Sequence, residues 1–207
     1  MLRSKIFFRD VESALGPMIA GAGAEGVAFL EWHDRGGVER IKERVIKRYK
    51  CELVPGNCEH LDQLEQEVTA YFEGRLQQFN VAIAVTGTAF ERRVWESLQQ
   101  IPYGQTRGYG ELANKLWRPG AARAVGRANG ANYLSIVIPC HRVIEANGNL
   151  RGYGGGLWRK RRLLDLESGQ THFVGQASRH QLAARTLIGR CEYQEGRSTR
   201  GDSSRSQ

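Results

Sequence analysis

The sequence predicts an α/β N-terminal domain in residues 1–87, a mainly α C-terminal domain in residues 88–169, and a basic tail in residues 170–207. Three observations lead to this division. Apolar patterns typical of strands and helices alternate in the first segment, helical patterns dominate the second, and no sustained apolar periodicity continues into the third. At 207 residues, the chain is long enough for one domain or two small ones.

Two strands and two helices are predicted in the N-terminal domain. Residues 25–32 (EGVAFLEW) alternate in polarity as a strand does, and they follow a glycine-rich turn. Apolar side chains then recur at helical spacing in residues 38–49 and again in residues 61–71. Residues 81–85 (VAIAV) are a short apolar run typical of a strand. None of these elements carries a pattern of recognisable chemistry.

Three helices are predicted at the start of the C-terminal domain, where two short helices around a glycine-containing turn form a helix-turn-helix pattern. Thr88 and Glu91 form a capping box before a helix that ends near Ile101. A second helix is expected from about residue 109 to 117, and a third follows the break at residues 118–120 (RPG).

The third helix, residues 121–129 (AARAVGRAN), is unusual in composition. Small residues, among them Ala122 and Gly126, allow its backbone to approach a neighbour closely. Arg123 and Arg127 lie four residues apart on one face, which favours an anionic neighbour. Close packing on another helix, with both arginines in solvent, is the alternative.

A buried strand, a hairpin, a loop and a final helix are predicted to complete this domain. Residues 134–138 (LSIVI) are a strand-like apolar run, and residues 143–149 contain an Asn-Gly turn typical of a hairpin. Residues 151–156 (RGYGGG) predict a mobile loop, because successive glycines hold little backbone order. The final helix is expected in residues 157–167.

Positive charge is concentrated in the C-terminal domain. The chain carries a net charge of +8, but residues 1–87 hold 11 basic and 13 acidic side chains, whereas residues 88–169 hold 13 basic and 6 acidic ones. A basic domain favours a phosphate polymer as partner, because lysine and arginine release counterions on binding it. The remaining basic residues lie in the tail, which is predicted to be disordered apart from a short helix near 178–188.

Composition disfavours several other classes of protein. Four irregularly spaced cysteines do not form a disulfide framework. Cys51, Cys58 and His60 could belong to a zinc site, but they lack a paired C-x2-C and a fourth ligand, so idle thiols are favoured. We find neither an apolar run of membrane-spanning length nor a signal peptide, and we therefore expect a cytoplasmic protein, or a nuclear one in a nucleated cell.

The clearest chemical signal is the run IPCHRVI at residues 138–144. The thiolate is the reactive form of cysteine, and we expect His141 to deprotonate Cys140, either through a turn at Pro139 or through a water. Arg142 is expected to favour the anion. Three chemistries use such a pair: acyl transfer, redox exchange and attack on an alkyl group. Redox exchange usually needs a second cysteine close by, and none lies near Cys140. Acyl transfer is less favoured, because a hydrolase has little use for a helix-turn-helix in a basic domain.

The run at 138–144 resembles the active-site signature of the O6-alkylguanine-DNA alkyltransferases, also called methylated-DNA–protein-cysteine methyltransferases. Residues 88–113, 118–132 and 152–167 resemble the corresponding family blocks in order and spacing, so that the resemblance covers most of the C-terminal domain. The N-terminal domain resembles the family's ribonuclease-H-like half more loosely.

The resemblance implies direct repair of DNA. A damaged guanine in double-stranded DNA is flipped into a pocket, and its O6-alkyl group is transferred to Cys140 in a reaction that each molecule performs once. O4-alkylthymine is a further candidate substrate. The resemblance implies no cofactor and no metal, and we expect a monomer without membrane association. Two alternatives are a non-catalytic sensor of alkylated DNA, against which Cys140 argues, and a Cys-His hydrolase.

The resemblance also assigns roles to individual residues. His141 takes the thiol proton through a water, and Glu167 orients His141. Tyr109 gives a proton to guanine N3 and contacts DNA, Asn132 is the hinge between helix and active-site strand, and Arg123 fills the gap left by the extruded base.

The remaining expected site residues belong to the DNA-binding helix and the pocket. Ala122, Gly126 and Arg127 are expected to enter the minor groove with Arg123, because a narrow groove accommodates small side chains. The pocket is expected to contain Pro139, Val143, Tyr153, Gly154 and Gly155.

Three positions depart from the family pattern. Gly154 stands where many relatives have serine, which removes a hydroxyl donor to O6, although the backbone N–H of Gly154 could still serve. Tyr133 replaces a common proline after Asn132, and Gly108 replaces a common serine before Tyr109.

Overall fold

The computed structural model of the protein describes residues 4–170. A mixed sheet with two helices forms its N-terminal part, and the C-terminal part is mainly helical, which confirms the coarse fold class. The predicted tail and its helix near 178–188 lie outside the described residues, apart from Gln170. Within residues 4–170, no helix has the length and apolar character needed to cross a bilayer.

The N-terminal part contains four strands and two helices. They are β1 (Lys5–Val11), β2 (Met18–Gly23), β3 (Gly26–Trp32), α1 (Val38–Tyr49), β4 (Glu52–Pro55) and α2 (Glu59–Phe72). The sheet order is β3-β2-β1-β4; β1 pairs antiparallel with β2 and parallel with β4, and β2 pairs antiparallel with β3. The predictions of β3, α1 and α2 are confirmed, whereas β1, β2 and β4 were not predicted.

Two predicted strands, residues 81–85 and 134–138, do not form. Both segments lie along the same edge of β3, so each pairs with only a short part of it. Val27 exchanges backbone hydrogen bonds with residues 82 and 84, each at 2.8 Å. Further along, the Leu30 amide donates to the Tyr133 carbonyl at 2.8 Å, and the Ser135 amide donates to the Leu30 carbonyl at 2.9 Å. Each segment therefore forms only an isolated bridge, and neither 81–85 nor 134–138 becomes a strand.

The C-terminal part contains four α-helices, two two-residue strands and a 3₁₀ turn. They are α3 (Ala89–Gln99), β5 (Arg107–Gly108), α4 (Tyr109–Lys115), α5 (Ala122–Gly130), the 3₁₀ turn Cys140–Arg142, β6 (Val143–Ile144) and α6 (Leu157–Glu167). The four predicted helices are confirmed. So is the capping box, in which Thr88 Oγ1 accepts from the Glu91 amide at 3.2 Å and Glu91 Oε2 accepts from the Thr88 amide at 2.8 Å.

The predicted hairpin is wrong, although its turn is present. The Gly148 amide donates to the Glu145 carbonyl at 2.9 Å, and Gly148 has a φ of 82°, which a glycine adopts readily. However, β6 pairs in parallel with β5 and not with the residues after the turn. Residues 151–156 form an irregular loop, as predicted.

One apolar core extends across both predicted domains. Trp32 and Tyr71 come from the N-terminal part, Leu98 and Leu163 come from the C-terminal part, and all four are almost fully buried in a single cluster. Side chains of the N-terminal part can therefore reach functional groups of the C-terminal part.

Candidate active site

Asn132 holds the turn that carries Cys140. Its Oδ1 accepts from the Leu134 amide at 2.9 Å, and its Nδ2 donates to the Leu134 and Ile138 carbonyls at 3.2 and 3.0 Å. The same Nδ2 lies 3.2 Å from Cys140 Sγ. Because Asn132 lies two residues after the end of α5 and is 2% exposed, it connects that helix to the sulfur through a buried side chain.

Cys140 lies beside a cavity of about 260 Å³. The predicted site residues that line this cavity with Cys140 are Tyr109, Gly126, Asn132, Tyr153 and Gly154. The cavity is slightly smaller than the range of about 300–1,000 Å³ typical of small-molecule sites.

Burial favours the neutral thiol of Cys140 over the thiolate. Burial raises its pKa, and the opposing effects of the Asn132 hydrogen bond and of Arg35 and Lys160 do not outweigh burial. Arg142, which was expected to favour the anion, is bound to a carboxylate instead, with its Nε 2.8 Å from Glu167 Oε2. A base must therefore remove the proton during the reaction.

His141, the residue after Cys140, forms a buried pair with Glu167. The His141 Nε2 and Glu167 Oε1 atoms are 2.8 Å apart, and both side chains are fully buried. Burial alone would raise the pKa of Glu167, but His141 and Arg142 outweigh it and lower that pKa to about 2. An ionised carboxylate only accepts hydrogen bonds, so Nε2 carries the hydrogen.

The other ring nitrogen of His141 is available as a base. Nδ1 is buried and has no hydrogen-bond partner among residues 4–170. Burial lowers the pKa of His141, against a raising effect of Glu167, which keeps the imidazole neutral at physiological pH. A neutral imidazole with hydrogen on Nε2 has its lone pair on Nδ1, the form needed to accept a thiol proton.

The Glu167 carboxylate is also held by Arg142, from the same turn as His141, and by groups from two further segments. The Tyr71 hydroxyl donates to Oε1 at 2.8 Å, Arg142 Nη2 donates to the same oxygen at 2.9 Å, and the Gly104 amide donates to Oε2 at 3.3 Å. Tyr71 lies on α2, far from Glu167 in sequence. In the sequence, the helical spacing of apolar residues in 61–71 indicated only that Tyr71 belongs to the core.

Two tyrosines line the cavity as neutral phenols. The Tyr109 hydroxyl donates to the Arg151 carbonyl at 3.2 Å, and its pKa is raised by burial and by Cys140. Tyr153 accepts from Trp32 Nε1 at 3.4 Å, and burial raises its pKa. Both hydroxyls therefore stay protonated at neutral pH.

The other predicted pocket residues lie away from this cavity. Val143 is fully buried in the apolar core. Pro139 lines a separate cavity of about 240 Å³ with Tyr103 and Arg142. Gly155 is buried against the Trp32 indole, which occupies the space that a side chain at position 155 would need.

The predicted DNA-binding residues lie together on α5. Arg123 and Arg127 are exposed, and neither side chain has an ion pair or hydrogen bond within residues 4–170. Ala122 and Gly126 are half-buried, and Gly126 lies beside the Tyr109 ring at the cavity. The opposite face of the helix is anchored, because Trp95 Nε1 donates to the Ala128 carbonyl at 2.9 Å. The helix thus places two free positive charges next to the cavity.

No group of three or more His, Cys, Asp or Glu side chains that could hold a metal ion is present in residues 4–170. Cys51 packs in a small core cluster beside Ile41, whereas Cys58 packs against the main core.

Comparisons with known proteins agree with this geometry. A family model described as "6-O-methylguanine DNA methyltransferase, DNA binding domain" matches residues 89–169. A methylated-DNA–protein-cysteine methyltransferase of Mycobacterium tuberculosis is 42% identical over 162 residues, which cover 78% of this chain and 92% of that protein. The inducible methylated-DNA–protein-cysteine methyltransferase of Bacillus subtilis is 45% identical over 143 residues, 69% of this chain and 79% of that protein.

The chain belongs to the methylated-DNA–protein-cysteine methyltransferase family. Among solved structures, Mycobacterium tuberculosis OGT in complex with DNA is 40% identical, with a TM-score of 0.69 over 80% of this chain and 95% of that chain. The O6-methylguanine-DNA methyltransferase of Pyrococcus kodakaraensis is 26% identical, with a TM-score of 0.58 over 78% of this chain and 98% of that chain. The predicted family and enzyme class are confirmed, and the sensor and hydrolase alternatives are not favoured.

Several site residues of this methyltransferase were not predicted. Arg35, Asn129 and Ser135 line the cavity. Lys160 is buried, and its Nζ donates to the Val143 and Arg151 carbonyls at 2.6 and 2.8 Å, which connects α6 to the glycine-rich loop. In the sequence Lys160 belongs to a basic run that suggests a solvated face, and only its three-residue spacing from the apolar Leu163 indicates the buried side.

Proposed function

We propose that this protein repairs alkylated DNA directly, by transferring an alkyl group from guanine O6 to Cys140 once per molecule. The observation that carries the proposal is the position of Cys140, which lines a cavity and directly precedes the histidine of the buried His141–Glu167 pair. O4-alkylthymine is a second candidate substrate, because it carries its alkyl group on the corresponding exocyclic oxygen.

The transfer begins with the thiol proton. Nδ1 of the neutral His141 takes it through a water, and Glu167 stabilises the imidazolium that forms. The sulfur then attacks the alkyl carbon, so that a carbon–sulfur bond forms while the bond from carbon to O6 breaks. Its electron pair stays on the guanine, and Tyr109 gives a proton to N3. The proton taken up by His141 is released to solvent, and solvent returns a proton to the Tyr109 phenolate. The thioether is stable, which limits each molecule to one transfer.

Double-stranded DNA, contacted in the minor groove, is the proposed form of the partner. The exposed arginines of α5 supply the phosphate-attracting charge, and the small residues of that helix suit a narrow groove. We assign Arg123 to the space left by the flipped base. The hinge role of Asn132 is supported by its hydrogen bonds to the turn that carries Cys140.

The remaining parts of the proposal concern architecture. The mixed sheet with its two helices is proposed to be ribonuclease-H-like, with a domain boundary after residue 87. We expect a monomer in the compartment that holds the DNA, and we propose that no cofactor takes part, because the chemistry needs only a thiol, a base and a proton donor.

Mass spectrometry of the Cys140 peptide tests this function. The protein is incubated with a duplex that contains one O6-methylguanine, and Cys140 should gain the mass of one methylene, with one repaired base per protein molecule. Cys140→Ser should gain nothing and should bind the duplex as tightly as the natural protein. Absence of the added mass would favour a sensor, and repeated turnover on an ester or amide would favour a hydrolase.

A further inference from the structure

Arg35 is a cavity residue that the N-terminal part supplies. It lies between β3 and α1, outside the residues 89–169 matched by the family model, and it lines the same cavity as Cys140. Its side chain is only 16% exposed. A nearly buried guanidinium brings several hydrogen-bond donors to the wall of this cavity.

The guanidinium of Arg35 occupies the space that a side chain at position 154 would need. A Cβ built on Gly154 would lie 2.5 Å from Arg35 Nε and 2.9 Å from Nη1. Gly154 does not have a left-handed backbone, so its conformation accepts other residues. Arg35 is therefore the group that excludes larger residues from position 154, where this sequence has glycine in place of the serine common in the family.

Three hydrogen bonds hold the guanidinium in place. Nη1 donates to Glu31 Oε1 at 2.8 Å and to the Asn132 carbonyl at 2.9 Å, and Nη2 donates to the Gly130 carbonyl at 2.7 Å. Glu31 is itself fully buried and also binds Arg44 at 2.6 Å. Displacing the guanidinium would break this network, so the position of Arg35 is fixed before substrate binds.

Two donors of Arg35 remain available. A guanidinium has five N–H groups, and the three bonds above leave the Nε hydrogen and one Nη2 hydrogen without a partner among residues 4–170. Donors that are fixed in advance and face a developing negative charge are an effective means of lowering a reaction barrier.

We propose that Arg35 donates a hydrogen bond to O6 of the flipped base, and so replaces the hydroxyl that position 154 lacks. As the bond from the alkyl carbon to O6 breaks, its electron pair remains on the guanine, and the fixed positive charge stabilises it. Arg35 transfers no proton, because Tyr109 supplies the one that guanine gains. This inference rests on the proposed alkyl transfer and adds a specificity-determining residue from outside the matched domain.

A comparison of serine with alanine at position 154 tests the proposal. The single-turnover rate is measured on a duplex with O6-methylguanine. Arg35→Ala should slow transfer by about 100-fold, in the range found when one oxyanion donor is removed. Adding Gly154→Ser to Arg35→Ala should recover at least about 10-fold of that loss, because its hydroxyl replaces the lost donor. Adding Gly154→Ala to Arg35→Ala should recover none.

The control variants separate donation from packing. Gly154→Ser alone should slow transfer, because Arg35 is still present and the Cβ of the new serine displaces its guanidinium. If Arg35 only packs, serine and alanine at position 154 have the same effect in the Arg35→Ala background, and that result would overturn the proposal. Circular dichroism establishes folding. If Arg35→Ala does not fold, Arg35→Met, which keeps the aliphatic bulk and has no hydrogen-bond donor, replaces it in every comparison.

Alkylation of Cys140 in the natural protein distinguishes failure of the proposed function from failure of this inference. If its Cys140 gains no alkyl group, the function itself is wrong. If Cys140 of the natural protein is alkylated and Arg35→Ala transfers within about 3-fold of the natural rate, the function stands and the role of Arg35 is rejected. Loss of an oxyanion donor would slow transfer far more than about 3-fold.

Discussion

Cys140 and His141 illustrate how burial sets chemistry at the scale of single residues. Burial raises the pKa of the thiol and lowers that of the imidazole, so both groups are neutral near pH 7. Reactivity then depends on a proton transfer that the base performs when substrate is present. A resting thiolate would be exposed to oxidation, and a neutral thiol avoids this side reaction.

This protonation state predicts the pH dependence of transfer. The rate should follow the fraction of neutral His141, which falls as pH drops through a value below the ordinary 6.5, since the pKa of His141 is lowered. Between about pH 7 and 9 the rate should be nearly constant. A thiol that ionised without a base would instead react about 10-fold faster per pH unit up to its raised pKa. Single-turnover rates from pH 5 to 9 distinguish the two profiles.

At the scale of elements, the turn between α5 and β6 depends on one amide side chain. Asn132 satisfies the Leu134 amide and the Leu134 and Ile138 carbonyls, all within a buried segment. Asn132→Ala would leave the buried Leu134 amide without a partner, whereas the Leu134 and Ile138 carbonyls would keep the backbone amides of Ile138 and Cys140. A buried unsatisfied group costs about 1–3 kcal/mol, so we expect a loss of that size in the free energy of unfolding, measured by urea denaturation.

Asn114 on α4 provides a matched control for that measurement. It is exposed, so Asn114→Ala should change the free energy of unfolding by less than about 0.5 kcal/mol. If both variants lose equally little, the side chain of Asn132 does not hold the turn.

The exposed arginines of α5 give a second prediction at this scale. Arg123→Ala should slow transfer from a duplex more than transfer from the free base O6-benzylguanine, because only the duplex leaves a gap when a base is flipped. Arg162→Ala, a change of equal charge on the exposed side of α6, serves as the control. Equal losses on both substrates for Arg123→Ala would remove its assignment to the gap.

At the scale of the whole molecule, the sequence predicted what local patterns encode. The helices followed from apolar spacing and from the Thr88–Glu91 capping box, and Cys140, His141 and Glu167 followed from the signature and its resemblance. The strand β2 (MIAGAG) was missed because its glycine- and alanine-rich sequence has no alternating pattern. The contacts of Arg35 with Asn132 and of Tyr71 with Glu167 join residues 97 and 96 positions apart, and no local pattern contains such pairs.

These long-range contacts make the site dependent on both parts of the chain. Tyr71 and Trp32 from the N-terminal part contact Glu167 and Tyr153, and the shared core buries apolar residues of both parts. Residues 88–207 expressed alone should therefore expose apolar surface and transfer less than about 1% of the normal rate, since losing both the Glu167 contact and the Arg35 donor combines two large effects. Coexpression with residues 1–87 as a separate chain should restore transfer, because the core is reformed by association. If residues 88–207 alone transferred at the normal rate, the N-terminal part would be dispensable for the chemistry, and the contacts of Tyr71, Trp32 and Arg35 would contribute only to stability.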